Sequence, residues 1–431
     1  MPRKQAKDKR VRAGRVSAEN ISLQDNGAQN AYAQQMERGH KVDRRWQRVF
    51  ILGVALLVLF FFGMIVPKDL INEGIHYAGY NSGYSFSWFV QDLQDNVTGL
   101  MAVFTGAYGV DSTTAAQMIL YVIVALTGAG MAMGGAVYQG SFRNALVTPS
   151  ALGVMSGSTL GMAIFVALFI NDEYTGFDGL RDIFNGVGTD GDLLANMWAT
   201  YGLALCSFAG CLLVVGLVVL VINVFNSGKL SGINMIITGQ VIGAVCGGIV
   251  NIIRYYFVYT NPEGAQAYAL QQLQISTFYR TFTIVDVLAV GIPIGICFAV
   301  VMSLRQKMLV LTLSDEEQRS LGVSTRGVKV LLIGLVTLVT AIIVSFCGHT
   351  GFIGFLAPHV ARKLVGPNFK YLMPAAMLVG AVFVLASYIL VQMTLGPEYE
   401  TVCGLFISIF GAAIFIFYAI KTGGGERNEF R

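Results

Sequence analysis

The sequence predicts an all-α, polytopic membrane protein with about ten transmembrane helices, and three observations carry that class. Of 431 residues, 55% are hydrophobic and only 13% charged, where a soluble domain has about a quarter charged. Apolar runs close to the roughly 20 residues that cross a hydrocarbon core recur from end to end. Lysine and arginine gather on alternate connecting segments, as the positive-inside rule requires.

The chain opens on a basic tail, residues 1–46. Twelve Lys or Arg lie within residues 1–48, among them Arg3, Lys4, Lys7, Lys9, Arg10, Arg12 and Arg15. No apolar core interrupts them, so the stretch does not read as a cleavable signal peptide. Such a tail suits nucleic acid or anionic lipid. The membrane helix that follows directly favours lipid, and no nucleic-acid partner is expected.

The membrane domain is expected at 47–420, with hydrophobic segments at 47–66, 115–139, 149–170, 197–222, 232–258, 283–304, 328–347, 350–365, 371–393 and 401–420. The eighth is short for a full crossing. With the N-terminus cytoplasmic, 25 of the 29 Lys and Arg fall inside, including the cluster Arg305, Lys307, Arg319, Arg326 and Lys329. The outer side keeps Lys68, Arg181, Arg254 and Arg280. One misplaced helix would scramble this alternation, so both termini, including the tail 421–431, are expected in the cytoplasm.

Two outer segments are long. Residues 67–114 carry Tyr77, Tyr80, Tyr84, Phe86, Trp88 and Phe89, and 86–104 has the apolar spacing of a helix lying at the membrane interface. Residues 171–196 are acidic and glycine-rich. Each reads equally as a solvated loop and as a contact for an extracellular partner.

Four stretches depart from plain lipid-facing sequence. Ser345–Arg362 combines Gly348, Gly351 and Gly354 with Pro358, His359 and Arg362. Glycines let backbones approach closely in a membrane, and Pro358 favours a kink or break. His359 and Arg362 share a helical face able to reach an aqueous boundary. Gln139–Gly153 holds Gln139, Gly140, Arg143, Asn144, Pro149 and Gly153 at a helix connection, where Arg143 and Asn144 can bond loop carbonyls and Pro149 suits a first helical turn.

The inner loop 305–327 contains Ser314, Asp315, Glu316, Glu317, Arg319, Ser320, Leu321, Gly322 and Val323. Ser314 and Glu317 form a capping-box pattern, and Gly322 is placed to end a short helix. That helix reads as a docking element or as an ordinary amphipathic loop. In the fifth segment, Gly239, Gly243 and Gly247 make a small-residue face. Gln240, Ala244, Gly247, Asn251 and Arg254 form a second stripe. Polar groups at membrane depth face a cavity or another helix, so the stripe is either a translocation path or interhelical glue.

Catalytic and nucleotide motifs are not found: there is no G-x-x-x-x-G-K-[ST] loop. The six cysteines form no C-x-x-C pair, and the four histidines make no metal-site spacing, so no catalytic residue, disulfide or metal ligand is expected.

The wording of three stretches goes further than their spacing. Gly351-Phe-Ile-Gly-Phe-Leu-Ala-Pro-His-Val-Ala-Arg362 resembles the "GFVGL-x-x-PH-x-x-R" signature of the FecCD family, the permease subunits of ABC importers for iron chelates, haem and cobalamin. Gln139–Gly153 is similar to that family's "QG-x-x-RNPLA-x-P-x-x-LG", departing at Ala145 and Val147. Ser314–Val323 resembles its "E-x-x-x-x-LGV" loop, where the ATPase subunit docks. The resemblance covers most of 115–420. The arginine motif often found before the second helix is missing at Ser112–Met118, and Pro397–Gly404 departs from the family's "P-x-ELP-x-G".

The resemblance implies a type II ABC importer permease fold in a bacterial cell membrane. It implies a second permease subunit, identical or sister, an ABC ATPase dimer that holds ATP and Mg, and an extracellular binding protein. Iron–siderophore uptake is the first expectation, with haem or cobalamin beside it. The competing classes are an ion-coupled secondary carrier and a membrane scaffold. The first of these ordinarily places carboxylates at mid-membrane, where this sequence has none: Asp286 is expected near an outer helix end.

Overall fold

The computed structural model describes residues 44–65, 94, 97–98, 112–144, 147–170, 193–225, 232–262, 264, 266–267, 269–271, 278, 282–313, 317–318, 325–348, 350–395 and 402–422. Residues 52–431 form one compact unit. Of residues 1–51, only 44–51 are described, as the start of the first helix.

The described chain is helical throughout. The helices are α1 (Arg44–Ile65), α2 (Ser112–Phe142), α3 (Val154–Phe169), α4 (Leu193–Phe225), α5 (Gly232–Thr260), α6 (Ile284–Ser303), α7 (Arg305–Leu311), α8 (Thr325–Cys347), α9 (Ile353–Val365), α10 (Phe369–Leu395) and α11 (Cys403–Thr422), with a 3-10 turn at Pro149–Leu152. Each of the ten hydrophobic segments expected from the sequence coincides with one of them. Seven have a stretch long and apolar enough to cross a membrane: α1, α2, α4, α5, α6, α8 and α10. The third segment is shorter as α-helix than expected, because Pro149 opens a 3-10 turn and α3 begins only at Val154. The eighth, α9, has 13 residues, or about 20 Å of helix against a hydrocarbon core of about 30 Å.

Water cannot drive helices together inside a bilayer, so close backbone contact has to do it. The structure shows where. A Cβ on Gly128 would collide with the Gly380 carbonyl, and one on Gly380 with that of Gly128, so α2 and α10 touch backbone to backbone. The α3–α4 pair repeats the device: a Cβ on Gly157 would stand 2.6 Å from the Gly210 oxygen, and one on Gly161 would strike the Cys206 carbonyl. Between these glycines the Ser158 and Ser207 hydroxyls share a hydrogen bond of 2.6 Å.

Helix α2 is the hub. It packs against α10, α8, α9 and α6, while α3, α4 and α5 form a second group joined to the first where α8 packs on α4. Buried Tyr121 ties α1 and α10 to α2. Its hydroxyl lies 3.0 Å from the Gly63 oxygen and 2.7 Å from Gln392 Oε1, and its ring meets Phe60 and Tyr388 edge-on. Outward faces are apolar, as lipid contact requires: Leu57, Val58, Leu205, Leu220, Ile292 and Leu405 are exposed.

The one acidic side chain in a described membrane-spanning segment has a structural task. Asp286 is fully buried, and its Oδ2 accepts from the Thr283 N–H at 2.8 Å and the Thr283 hydroxyl at 2.9 Å, closing a capping box at the start of α6. The Thr-x-x-Asp spacing at 283–286 carries the same kind of capping signal as Ser314 with Glu317.

Candidate functional site

The two glycine-and-proline stretches, some 200 residues apart in sequence, pack face to face. Pro358 lacks the N–H that would bond the Gly354 carbonyl one turn earlier, yet α9 runs through it from Ile353 to Val365 without a break. The Gly354 carbonyl lies against α2 where Gly135 has only a hydrogen; a Cβ there would overlap it. One turn further in, buried Gln139 donates from Nε2 to the Phe355 carbonyl at 3.3 Å. The Pro149 ring closes the seam: it would stand 3.2 Å from a Cβ on Gly354 and 3.3 Å from one on Gly134.

The remaining motif residues shape the same region. Gly140 faces Phe369, whose ring tip would stand 2.6 Å from a Cβ. Arg143 ends α2 in the left-handed region, φ 52°, and its guanidinium donates to the Leu313 carbonyl at 2.9 Å. The Asn144 N–H bonds the Gln139 oxygen at 3.2 Å, and the Asn144 carbonyl accepts from Val147 at 3.3 Å. Gly153, φ 77°, precedes α3, and a Cβ there would lie 3.0 Å from the Gly239 oxygen of α5. Gly351, φ 38°, leaves room for the Ser408 hydroxyl of α11.

His359 and Arg362 differ from expectation. The α9 face they share turns inward at His359, which is 7% exposed and stacks on Phe355 at 6.2 Å between ring centroids. Arg362 is half-buried one turn on. The imidazole is buried against Phe355 in this chain.

The loop expected to dock an ATPase lies mostly outside the described residues: Ser314, Asp315, Glu316, Arg319, Ser320, Leu321, Gly322 and Val323 all do, and with them the capping box and Gly322 stop. Glu317 and Gln318 are described and helical; Glu317 is exposed and Gln318 buried. Gln318 was not singled out in the sequence. Its Nε2 donates to the Leu313 carbonyl at 2.8 Å and the Leu311 carbonyl at 3.2 Å. The expected interfacial helix 86–104 also lies outside the described residues, apart from 94 and 97–98, which are helical.

The α5 stripe is laid out on an open face. Gln240, Ala244 and Asn251 are exposed, with Gly247 and Arg254 half-buried. The small-residue face beside it is used only in part. Gly239 and Gly243 pack on the turn and the start of α3, with Ser156 Oγ 3.0 Å from a Cβ on Gly243, but nothing lies within 4 Å of one on Gly247. Helix α5 therefore seats on α3, α4 and the turn along one side. It presents the stripe, with Ile237, Val241, Val245 and Ile252, on the other.

Among the described residues no group of three His, Cys, Asp or Glu is placed to hold a metal ion. All six cysteines are free thiols, five of them buried.

Residues 84–421 match the model of the FecCD transport family. The chain belongs to this family. It is 28% identical over 304 residues to an iron chelatin transport system permease protein of Helicobacter pylori, covering 70% of this chain and 80% of that one. It is 29% identical over 300 residues to the Fe(3+)-citrate import system permease protein of Bacillus subtilis, covering 69% and 78%. It is 28% identical over 301 residues to the molybdate import system permease protein of Haemophilus influenzae, again covering 69% and 78%. A solved metal-chelate type ABC transporter in an inward-facing conformation shares its fold, with a TM-score of 0.64 at 21% identity over 88% of this chain and 99% of that one.

As a FecCD-family permease of an ABC importer, the chain is a multi-pass membrane subunit, and its two signature stretches now have a physical meaning. Residues 139–153 and 351–362 border one seam, where α2 meets α9 backbone to backbone at Gly135 and Gly354, and the Gln139 side chain and Pro149 ring close its edges.

Proposed function

We propose that the chain forms the membrane path of an ATP-driven importer, for an iron–siderophore complex first and for haem or cobalamin next. What carries this reading is the family match across 84–421, with ferric-citrate and iron-chelatin permeases among the relatives. A second permease subunit, identical or sister, faces the open side of α5, and Gln240, Ala244, Gly247, Asn251 and Arg254 line the gap between them. An extracellular binding protein delivers the chelate; its docking uses contacts other than the missing arginine motif. An ABC ATPase dimer, with its ATP and Mg, engages Ser314–Val323 from the cytoplasm. Closure of the ATPases pushes on this loop and tilts the helices around the path between inward-open and outward-open states. Both termini lie in the cytoplasm of a bacterial cell.

The competing ion-coupled carrier needs a membrane carboxylate free to bind and release its ion. Asp286, the sole acidic residue in the described membrane-spanning segments, is committed to its cap. The test is isolation of the tagged chain from its native membrane, followed by radiolabelled uptake. An ATPase should accompany the chain and be lost in the Glu317→Arg, Leu321→Asp double variant. Cells lacking the chain should lose uptake of one ferric chelate, haem or cobalamin. Absence of an ATPase from the native preparation would overturn the importer reading. Loss of molybdate uptake alone would replace the substrate.

A further inference from the structure

We infer that Arg143 and Gln318 are positioning residues that clamp the ATPase-facing loop to the inner end of α2 through one shared acceptor, the Leu313 carbonyl. The inference rests on the docking role proposed for 314–323 and adds the route by which force leaves that loop.

Leu313 is the last described residue before the loop, two residues after α7 ends at Leu311. A carbonyl oxygen has two lone pairs, and both neighbours here are strong donors. Arg143 donates from α2 at 2.9 Å, and Gln318 donates from within the loop at 2.8 Å. Gln318 also holds the Leu311 carbonyl at 3.2 Å, which satisfies the C-terminal end of α7. Gln318 is thus held at the end of α7 by its own buried side chain, and Leu313 is held to α2 by a charged one.

The pin is backed by packing on each side. Helix α7 lies against α2, α8 and α10, with Met308 and Leu311 buried. Lys329 Nζ, near the start of α8, sits 4.5 Å from the centroid of the Phe142 ring, one residue before Arg143. Buried Tyr138 shares a hydrogen bond with Thr337 of α8 one turn further into the membrane. Arg143 itself adopts φ 52°, a backbone state uncommon for a side-chain-bearing residue. That turn carries the guanidinium out of the α2 helical path to the loop. Displacement of Leu313 therefore acts on the same four-residue end of α2, Gln139–Phe142, that holds α9 through the Gln139–Phe355 bond.

The experiment uses the complete transporter reconstituted in liposomes with its own ATPase and binding protein. The readout is substrate taken up per ATP hydrolysed, normalised to assembled complex. Gln318→Met removes the donor at nearly constant volume; Arg143→Met removes the other, and Arg143→Lys retains a cationic donor. Each Met variant should lower the ratio about threefold to tenfold, the weight of one hydrogen bond. Arg143→Lys should restore part of it. The double Met variant should fall less than the product of the singles, because both donors serve one oxygen. A ratio unchanged in either Met variant with ATPase still bound, or two effects that simply multiply, overturns the clamp. Where a Met variant fails to accumulate, Gln318→Asn, which keeps the donor on a shorter stem, gives the same readout; an unchanged ratio there also overturns it. Failure of the docking reading is separate: it shows as wild-type chain without bound ATPase.

Discussion

Gly135→Ala is the sharpest test of how this bundle is held together. The added methyl would lie inside the Gly354 carbonyl, with the carbonyl carbon 2.5 Å and the Cα 2.9 Å away. All three are backbone atoms, so no rotamer change relieves the overlap. The Gly354 oxygen is the nearest of the three, so relieving the overlap requires α2 and α9 to part by more than about 1 Å. Overpacking of a close-packed site costs about 1–3 kcal/mol. The same displacement stretches the Gln139–Phe355 hydrogen bond, already 3.3 Å long, and adds about 1 kcal/mol. The expected loss is therefore about 2–4 kcal/mol. The matched control is Gly334→Ala in α8, where nothing lies within 4 Å of the new methyl. There the change should be neutral or favourable by up to about 1 kcal/mol, from helix propensity. The assay heats detergent-solubilised protein and measures the fraction still monodisperse on size exclusion. Gly135→Ala should melt several degrees below the wild type and Gly334→Ala should not. Equal melting of Gly135→Ala and the wild type, or an equal fall in both variants, would refute the claim that backbone contact holds α9 on α2.

Three further outcomes follow from the same geometry. Tyr121→Phe leaves buried Gln392 without the hydroxyl it meets at 2.7 Å, and should cost about 1–3 kcal/mol in the same heating assay; Gln392→Leu in that background should recover most of the loss, since removing both polar partners is nearly neutral. Asp286→Asn keeps an acceptor for Thr283, so uptake should persist with an unaltered pH profile; abolished uptake would revive the ion-coupled carrier. Ala244→Trp adds bulk on an exposed position of the α5 stripe, so heat stability should hold while uptake is lost; retained uptake would remove this face from the path.

The helices were legible because the bilayer imposes a length and the cytoplasm a charge sign, and both rules act on sequence directly. The family signatures were legible for a different reason. Gly135's partner Gly354, the left-handed Gly153 and Gly351, and Pro149 mark places where the backbone itself is constrained, and few residue types tolerate such places. What sequence could not supply was partnership. Nothing in Gln318 distinguishes a buried double donor from a solvated loop residue, and nothing in Leu313 shows that its carbonyl is an anchor. His359 looked like a residue for an aqueous boundary, yet Phe355 one turn back covers its ring. Gly247 completed a small-residue repeat on paper, but nothing lies within 4 Å of a Cβ there, although α5 continues along α3 through Val250, Ile253 and Phe257.

The division of labour along the chain follows from what each face touches. Gln139, Gly140, Pro149, Gly153, Gly351 and Gly354 contact other helices or turns of this subunit, and Pro358 and His359 are buried in α9. A residue spent on such a contact cannot also read the chemistry of a cargo, so these positions set the shape and stiffness of the bundle for whatever is carried. This fits a family whose relatives here handle ferric citrate and molybdate: the seam between α2 and α9 is indifferent to either. On the proposed import path, discrimination falls to faces the seam leaves open. Among the described helices the open side of α5 combines depth in the membrane with exposed Gln240 and Asn251. Exchanging those two side chains between relatives should move substrate preference, whereas exchanging seam residues should move only stability and coupling.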